Sequence, residues 1–167
     1  MTEITDITTP GREGAFTVGS RGTVRGPGDL PPDHLRLIEG PVTVTVGTYD
    51  SKGFARLTPM WWGTDGDHIH INTKKGRLKY RNLINHPEVS IQALDPEDPY
   101  HWMTVYGRVV DMVDEEDAER GYLATESIDD FSEVYLGERP YPFREKDEVR
   151  VLFYVEAEKI VTFGGGS

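Results

Sequence analysis

The stretch Asn72-Thr73-Lys74-Lys75-Gly76-Arg77-Leu78-Lys79 gathers the residue types that bind an anion. A strand ending in amide and hydroxyl side chains turns through glycine and opens a helix. Backbone N–H groups at a helix start, beside guanidinium and ammonium groups, are the usual physical solution to phosphate binding. With Arg81, residues 74–81 carry five cations and no acid. Arg77 and Lys79 stand two apart, so they do not stack on one helix face but converge on a ligand at its entrance. Neither a Gly-x4-Gly-Lys phosphate loop nor a GxGxxG fingerprint occurs. A solvated helix face is the competing reading of the same charges.

The rest of the chain sharpens that contrast. Eighteen Lys and Arg stand against 29 Asp and Glu, a net charge of −11. Such a surface repels a polyanion and argues against nucleic-acid binding. Cations concentrated in one short segment of an acidic protein suit a compact anionic ligand.

Three further groups of residues bear on chemistry. Trp61 and Trp62 are adjacent on a strand and therefore face opposite sides of the sheet. One can fill a barrel; the other needs a helix, a subunit interface or a flat ligand. With Pro59 and Met60 the segment makes a wall for an aromatic ring system. His68 and His70 share a strand face, but a third metal ligand would have to come from His34, His86, His101 or a distant acid. Without an HExxH motif, exposed strand histidines are the expectation and no metal is assigned. There is no cysteine, which removes disulfides, thiolate metal sites and a thiol nucleophile. GxSxG is absent, and the pairs Glu115-Glu116 and Asp129-Asp130 read as helix-end and loop carboxylates.

The elements that would position these residues follow from periodicity. At 167 residues one domain is expected. Residues 1–30, rich in Gly, Thr and Pro, read as a tail without a core, and 164–167 as a C-terminal tail. PPDHLRLIEG predicts a short helix capped by Asp33 and stopped by Gly40. PVTVTVGTYD alternates Val42, Val44 and Val46 against Thr43 and Thr45; FARLTPMWW and HIHINT follow as antiparallel strands across tight turns. Leu78 to Ile84 fit a helix ended by His86-Pro87. EVSIQALD and HWMTVYGRVVDMVD are strands, DEEDAERGYLATESI a helix with acids at its N-terminus. FSEVYLGERPYPFRE reads as irregular and aromatic, and EVRVLFYVEAEKIVTF closes the sheet. The expected fold is mainly β (α+β), a small barrel of six to seven antiparallel, mostly hairpin-connected strands with short helices. No apolar run reaches the ~20 residues of a membrane helix and no secretory signal is visible, so a cytoplasmic protein without membrane contact is expected.

PMWWGTDGDHIHINTKKGRLKYRNLINHPEVSIQ, then TVYGRVV and VRVLFYVEAEKIVTF, resembles the flavin/deazaflavin oxidoreductases with the pyridoxamine 5'-phosphate oxidase-like, FMN-binding split barrel. The likeness is nearest to the branch that depends on coenzyme F420. It is carried by Pro59, Trp61, Thr73, Gly76, Arg77, Lys79, Arg81, Asn82, Leu83 and Pro87. The resemblance implies a six- to seven-stranded antiparallel split barrel over residues 31–163, and a homodimer with cofactor sites at the subunit interface. Asn72, Thr73, Arg77 and Lys79 would hold the cofactor phosphate and adjoining chain, with Asn82 in the same motif. Pro59, Met60 and Trp61 would lie along the tricyclic ring; the charge of the segment, rather than the resemblance, adds Lys74 and Lys75 as contacts to the glutamate tail of a deazaflavin.

That resemblance implies hydride transfer from reduced deazaflavin to a conjugated small molecule such as an enone, a lactone or a tetrapyrrole bridge. Five clustered cations suit the longer anion better than FMN, for whose one phosphate two or three suffice. An FMN-dependent oxidase or reductase and a non-catalytic cofactor carrier are the alternatives. No side chain stands out as proton donor, and no catalytic residue is assigned.

Overall fold

A computed structural model of the chain describes residues 1–8 and 17–165. Along the sequence run β1 (Thr2–Thr8), β2 (Thr17–Val24), a 3-10 turn (Pro27–Asp29) and α1 (Pro32–Glu39). Then come β3 (Val44–Tyr49), β4 (Ala55–Met60), β5 (Trp62–Thr64), β6 (Ile69–Lys74) and α2 (Leu78–Asn85). The chain continues with β7 (Glu88–Leu94), β8 (Trp102–Asp114), α3 (Tyr122–Leu136) and β9 (Arg150–Phe163). Side-chain alternation decides the strand faces: Val42, Val44 and Val46 are buried while Thr43 and Thr45 are exposed. Met103 and Val105 are likewise fully buried on β8, and Tyr106 faces out.

The sheet runs β2-β1-β9-β8-β7-β3-β4, with β6 on β9 and β5 on β6. β4 passes into β5 through Trp61, so the ring of β3, β4/β5, β6, β9, β8 and β7 is completed there by the covalent chain. β9 makes the split: along one edge it pairs with β8, and along the other first with β6 (150–155) and then with β1 (159–163). A fourteen-residue strand is long enough to serve both partners in turn. The barrel is filled by Trp62, Ile69, Ile71, Ile91, Met103 and Phe153, each at most 1% exposed.

Four expectations need correction. The six or seven antiparallel strands account for the barrel, but the sheet has nine strands among the described residues and is mixed, because β1 pairs parallel to β9. The segment read as a tail without a core of its own supplies β1 and β2, and β1 pairs with β9 of the domain. Its alternation is short and polar, yet Ile4 is buried in the barrel core and the Thr2 hydroxyl donates to the Ala157 carbonyl. The third correction concerns α3. Glu115, Glu116, Asp117 and Glu119 lie in the turn before it, where the backbone N–H groups of Glu119 and Arg120 donate to the Asp117 carboxylate. The helix runs on to Leu136 through residues read as irregular, because Phe131 and Ser132 bury against the barrel. Asp33, expected to cap α1, sits inside the first turn behind Pro31.

α3 lies close over the barrel end at one particular point. A side chain at Gly63 would stand 2.7 Å from Phe131 Cε1, so glycine is what lets helix and strand approach there. No helix among the described residues is long and apolar enough to cross a membrane.

Candidate cofactor site

β6 delivers Asn72 and Thr73 to the end of the barrel, and Gly76 at φ +86° turns the chain into α2. Arg77 is the residue that caps α2, and among the described residues no side chain engages its first N–H groups. A cavity of about 280 Å³ opens beside this turn, between the ends of β4 and β6, the start of β9 and α3. It is lined by Pro59, Met60 and Trp61 on one side and by Asn72, Thr73, Arg77, Lys79 and Arg150 on another, with Thr43, Ile128, Phe131 and Tyr141 completing the wall.

The polar side is held by one buried amide. The Asn72 side chain donates to the Ala124 carbonyl at 2.9 Å and to Ser127 Oγ at 2.6 Å, which ties β6 to α3. Its Oδ1 accepts from Arg150 Nε at 2.9 Å. Arg150, 5% exposed, is thereby aimed into the cavity; Glu148 stands 3.6 Å from one terminal nitrogen, and the Tyr141 ring lies 5.3 Å from the guanidinium carbon. Thr73 is 2% exposed, and its hydroxyl has no partner among the described residues.

Electrostatics point the same way. No ion pair forms to Arg77 or Lys79 among the described residues, whereas Lys74 pairs with Glu145 and Lys75 with Asp114 (2.8 Å) and Glu116 (2.5 Å). Burial, and then the charges of Arg77 and Arg150, push the Lys79 ammonium below its ordinary pKa. Burial does the same to Arg150. Three cations repelling one another around an unsatisfied hydroxyl form a site that an anion would relieve.

The apolar side is built on Trp61. It stacks on Tyr135 at 5.0 Å and meets Tyr141 edge-on at 6.0 Å. Trp62 points the other way, 1% exposed, with its indole N–H donating to the Leu37 carbonyl of α1 at 3.0 Å. Trp62 therefore fills this chain's own barrel. Tyr135 locks the pair: its hydroxyl donates to the Val42 carbonyl at 2.7 Å and faces the Trp62 backbone N–H at 3.4 Å.

Burial pushes the Tyr135 phenol up to about 12. A raised folded pKa means that its contribution is complete below the ordinary value of 10.0 and is lost as pH rises towards about 12. Tyr135→Phe is expected to lose about 1–2 kcal/mol at neutral pH. The gap to wild type should close over that alkaline window in urea melts, and a constant gap would show that the phenol's ionisation plays no part.

Of the ten residues singled out from sequence, seven meet at this cavity: Pro59, Met60, Trp61, Asn72, Thr73, Arg77 and Lys79. Three do not. Lys74 and Lys75 turn to the chain's own acids, and Asn82 is buried with its amide on Thr48 Oγ1 at 3.0 Å, pinning α2 to β3. Arg150 carries no local signal, because a single arginine opening an apolar strand has no spacing signature. The aromatic run containing Tyr141 was conspicuous, but nothing local told where it would fold. His68 and His70 both turn to Asp65.

This split barrel and its cavity define a class, and the sequence agrees. The chain belongs to the pyridoxamine 5'-phosphate oxidase family, whose model matches residues 30–163, and fits the flavin/deazaflavin oxidoreductase superfamily. It is similar to a solved F420 reductase, with 27% identity and a TM-score of 0.64 over 78% of this chain and 98% of the other. A conserved hypothetical protein from Mycobacterium tuberculosis shares 25% identity at TM-score 0.56, over 73% of this chain and 76% of that one. The heme storage protein HutZ from Vibrio cholerae shares the fold, at 20% identity and TM-score 0.55 over 75% and 89%. No curated protein sequence matches the chain.

Proposed function

We propose that this protein is a coenzyme F420-dependent oxidoreductase acting on a conjugated small molecule, as a homodimer. The observation that carries the reading is the trio Arg77, Lys79 and Arg150, opposed only by the Glu148 carboxylate beside Arg150, next to the orphaned Thr73 hydroxyl and facing an apolar wall of Pro59, Met60 and Trp61. The 27% identity to an F420 reductase supports the deazaflavin within that class. When bound, the reduced deazaflavin supplies a hydride to an electrophilic carbon. The chain binds and orients: Arg77, Lys79 and Arg150 hold the phosphate, the Thr73 hydroxyl donates to it, and Asn72 keeps Arg150 aimed. Trp61, braced by Tyr135, covers the ring system and excludes water.

FMN is the second reading, and one observation favours it. With Lys74 and Lys75 engaged by Glu145, Asp114 and Glu116, only Arg77 and Lys79 remain without an ion pair among the described residues, beside an Arg150 that faces Glu148, and two or three cations suffice for one phosphate. Titrating the apoprotein with each cofactor decides between them: the proposal expects tighter binding of the deazaflavin and steady oxidation of its reduced form by an acceptor. Tight FMN binding that deazaflavin cannot displace would overturn it. Binding without turnover against a panel of enones and lactones would leave a carrier.

Arg77→Ala and Lys79→Ala are each expected to weaken cofactor binding by about 1.5–3 kcal/mol for a lost charge-assisted contact, with little change in unfolding midpoint. The double variant Lys74→Ala/Lys75→Ala should shift affinity by no more than about 0.2–1 kcal/mol, since its exposed ammonium groups already have partners. Calorimetric titration separates the two cases. A larger effect in the lysine pair than in Arg77→Ala would move the phosphate site towards β6. The homodimer is supported by edge strand β4, which leaves Leu57 67% exposed, and by Phe54 beside it at 64%. Light scattering at micromolar concentration should return twice the chain mass.

A further inference from the structure

At the opposite end of α1 from the Trp62 contact, the fold assembles a second polar cluster that the cofactor site does not use. Asp33 and His34 come from the first turn of α1, and His101 from the residue before β8. His34 and His101 are 0% and 2% exposed, and their rings meet edge-on at 4.7 Å. One ligand-capable atom from each of the three lies within 4.8 Å of the others. Asp33 Oδ1 and His34 Nδ1 stand 3.2 Å apart, close to the edge of a coordination tetrahedron with bonds of ~2.0–2.1 Å.

His101 supplies the second, independent observation. Asp95 Oδ2 accepts from its Nδ1 at 2.9 Å, which puts the proton on Nδ1 and the lone pair on Nε2. That Nε2 is buried without a hydrogen-bond partner among the described residues. Asp95 is in turn paired with Arg36, so the carboxylate is fixed in place and its charge compensated. A carboxylate orienting an imidazole whose other nitrogen is free is the arrangement that supports metal-ligating histidines. The chain beyond β9 closes the cluster: a side chain at Gly165 would collide with the Asp33 carboxylate and with the His34 ring.

We propose that Asp33, His34 and His101 bind a divalent first-row transition metal, zinc by donor type, which staples α1 to the start of β8 at this end of the barrel. Two imidazoles and one carboxylate suit zinc and its neighbours and exclude magnesium, which requires oxygen ligands in an octahedron. The ion acts on the fold and takes no part in the redox chemistry. Because it binds the folded chain, it raises stability by mass action.

The test is thermal unfolding of chelator-treated protein with added zinc sulfate, alongside metal analysis after dialysis. One zinc per chain is expected, with a midpoint about 5–10 °C higher at a hundredfold excess over the dissociation constant. Magnesium should give no shift. Asp33→Asn, a near-isosteric change at a half-buried carboxylate, should fold with the midpoint of the metal-free wild type. It should bind zinc weaker by at least the ~10–100-fold that even an outer-shell change costs. His101→Gln should lose the shift entirely; if it does not fold, Asp33→Asn decides. The double variant His68→Gln/His70→Gln should keep the shift. No zinc retained by wild type, an undiminished response in Asp33→Asn, or loss of the response in the His68/His70 variant would each overturn the assignment.

Discussion

Arg150→Met is expected to lose cofactor binding by about 2–3 kcal/mol and stability by about 3 kcal/mol together. The first effect follows from removing the innermost of the three cations that face the cavity. The second follows from what the side chain leaves behind. Glu148, 2% exposed in its side chain, has Arg150 as its cation at 3.6 Å, and Asn72 Oδ1 loses the donor at 2.9 Å. A buried carboxylate without its partner is costly even where the intact pair contributes little net stability. Urea unfolding reads the stability and cofactor titration under native conditions reads the affinity. Arg150→Lys separates them: it keeps the charge near Glu148 but not the fork that reaches Asn72, so stability should recover more than affinity. Native affinity in a folded Arg150→Met protein would remove this residue from the site and leave Arg77 and Lys79 to hold the phosphate alone.

Trp62→Ala should cost about 3–5 kcal/mol, a large share of the ~5–15 kcal/mol that holds an ordinary domain. Its ring is 1% exposed between α1 and the barrel, and its N–H is the donor that satisfies the Leu37 carbonyl. Truncation opens a cavity and orphans that carbonyl at once. Trp62→Phe keeps most of the volume and should lose only about 1–3 kcal/mol, chiefly for the unpaired carbonyl. The urea midpoint should fall in both, with an unchanged slope if unfolding stays two-state. Because Trp61 is the next residue and forms the cavity wall, Trp62→Ala should also weaken cofactor binding, whereas Trp62→Phe should not. A midpoint in Trp62→Ala within experimental error of wild type would mean that the barrel core does not depend on this ring.

Local sequence determined much of this protein. Alternation placed Val42, Val44, Val46, Met103 and Val105 inward, because the period of a pleated strand leaves a half-buried sheet no other choice. Gly76 between a strand ending in Asn72-Thr73 and a helix opening at Arg77 was legible as an anion-binding turn, since turn, helix start and cations all lie within eight residues. Only the tertiary structure decided which cations remain free. Lys74 and Lys75 look equivalent to Arg77 and Lys79 in a sequence window, yet Glu145, Asp114 and Glu116, distant in the chain, reach back to neutralise them. Arg150 joins Asn72 across 78 positions because β9 pairs with β6. The histidines divide in the same way. His68 and His70, two apart on β6, share Asp65, while His34 and His101, 67 positions apart, meet beneath α1. Short-range periodicity fixes which face a side chain takes. The register of β6 and β8 against β9, set by burial over the whole barrel, fixes what it finds there.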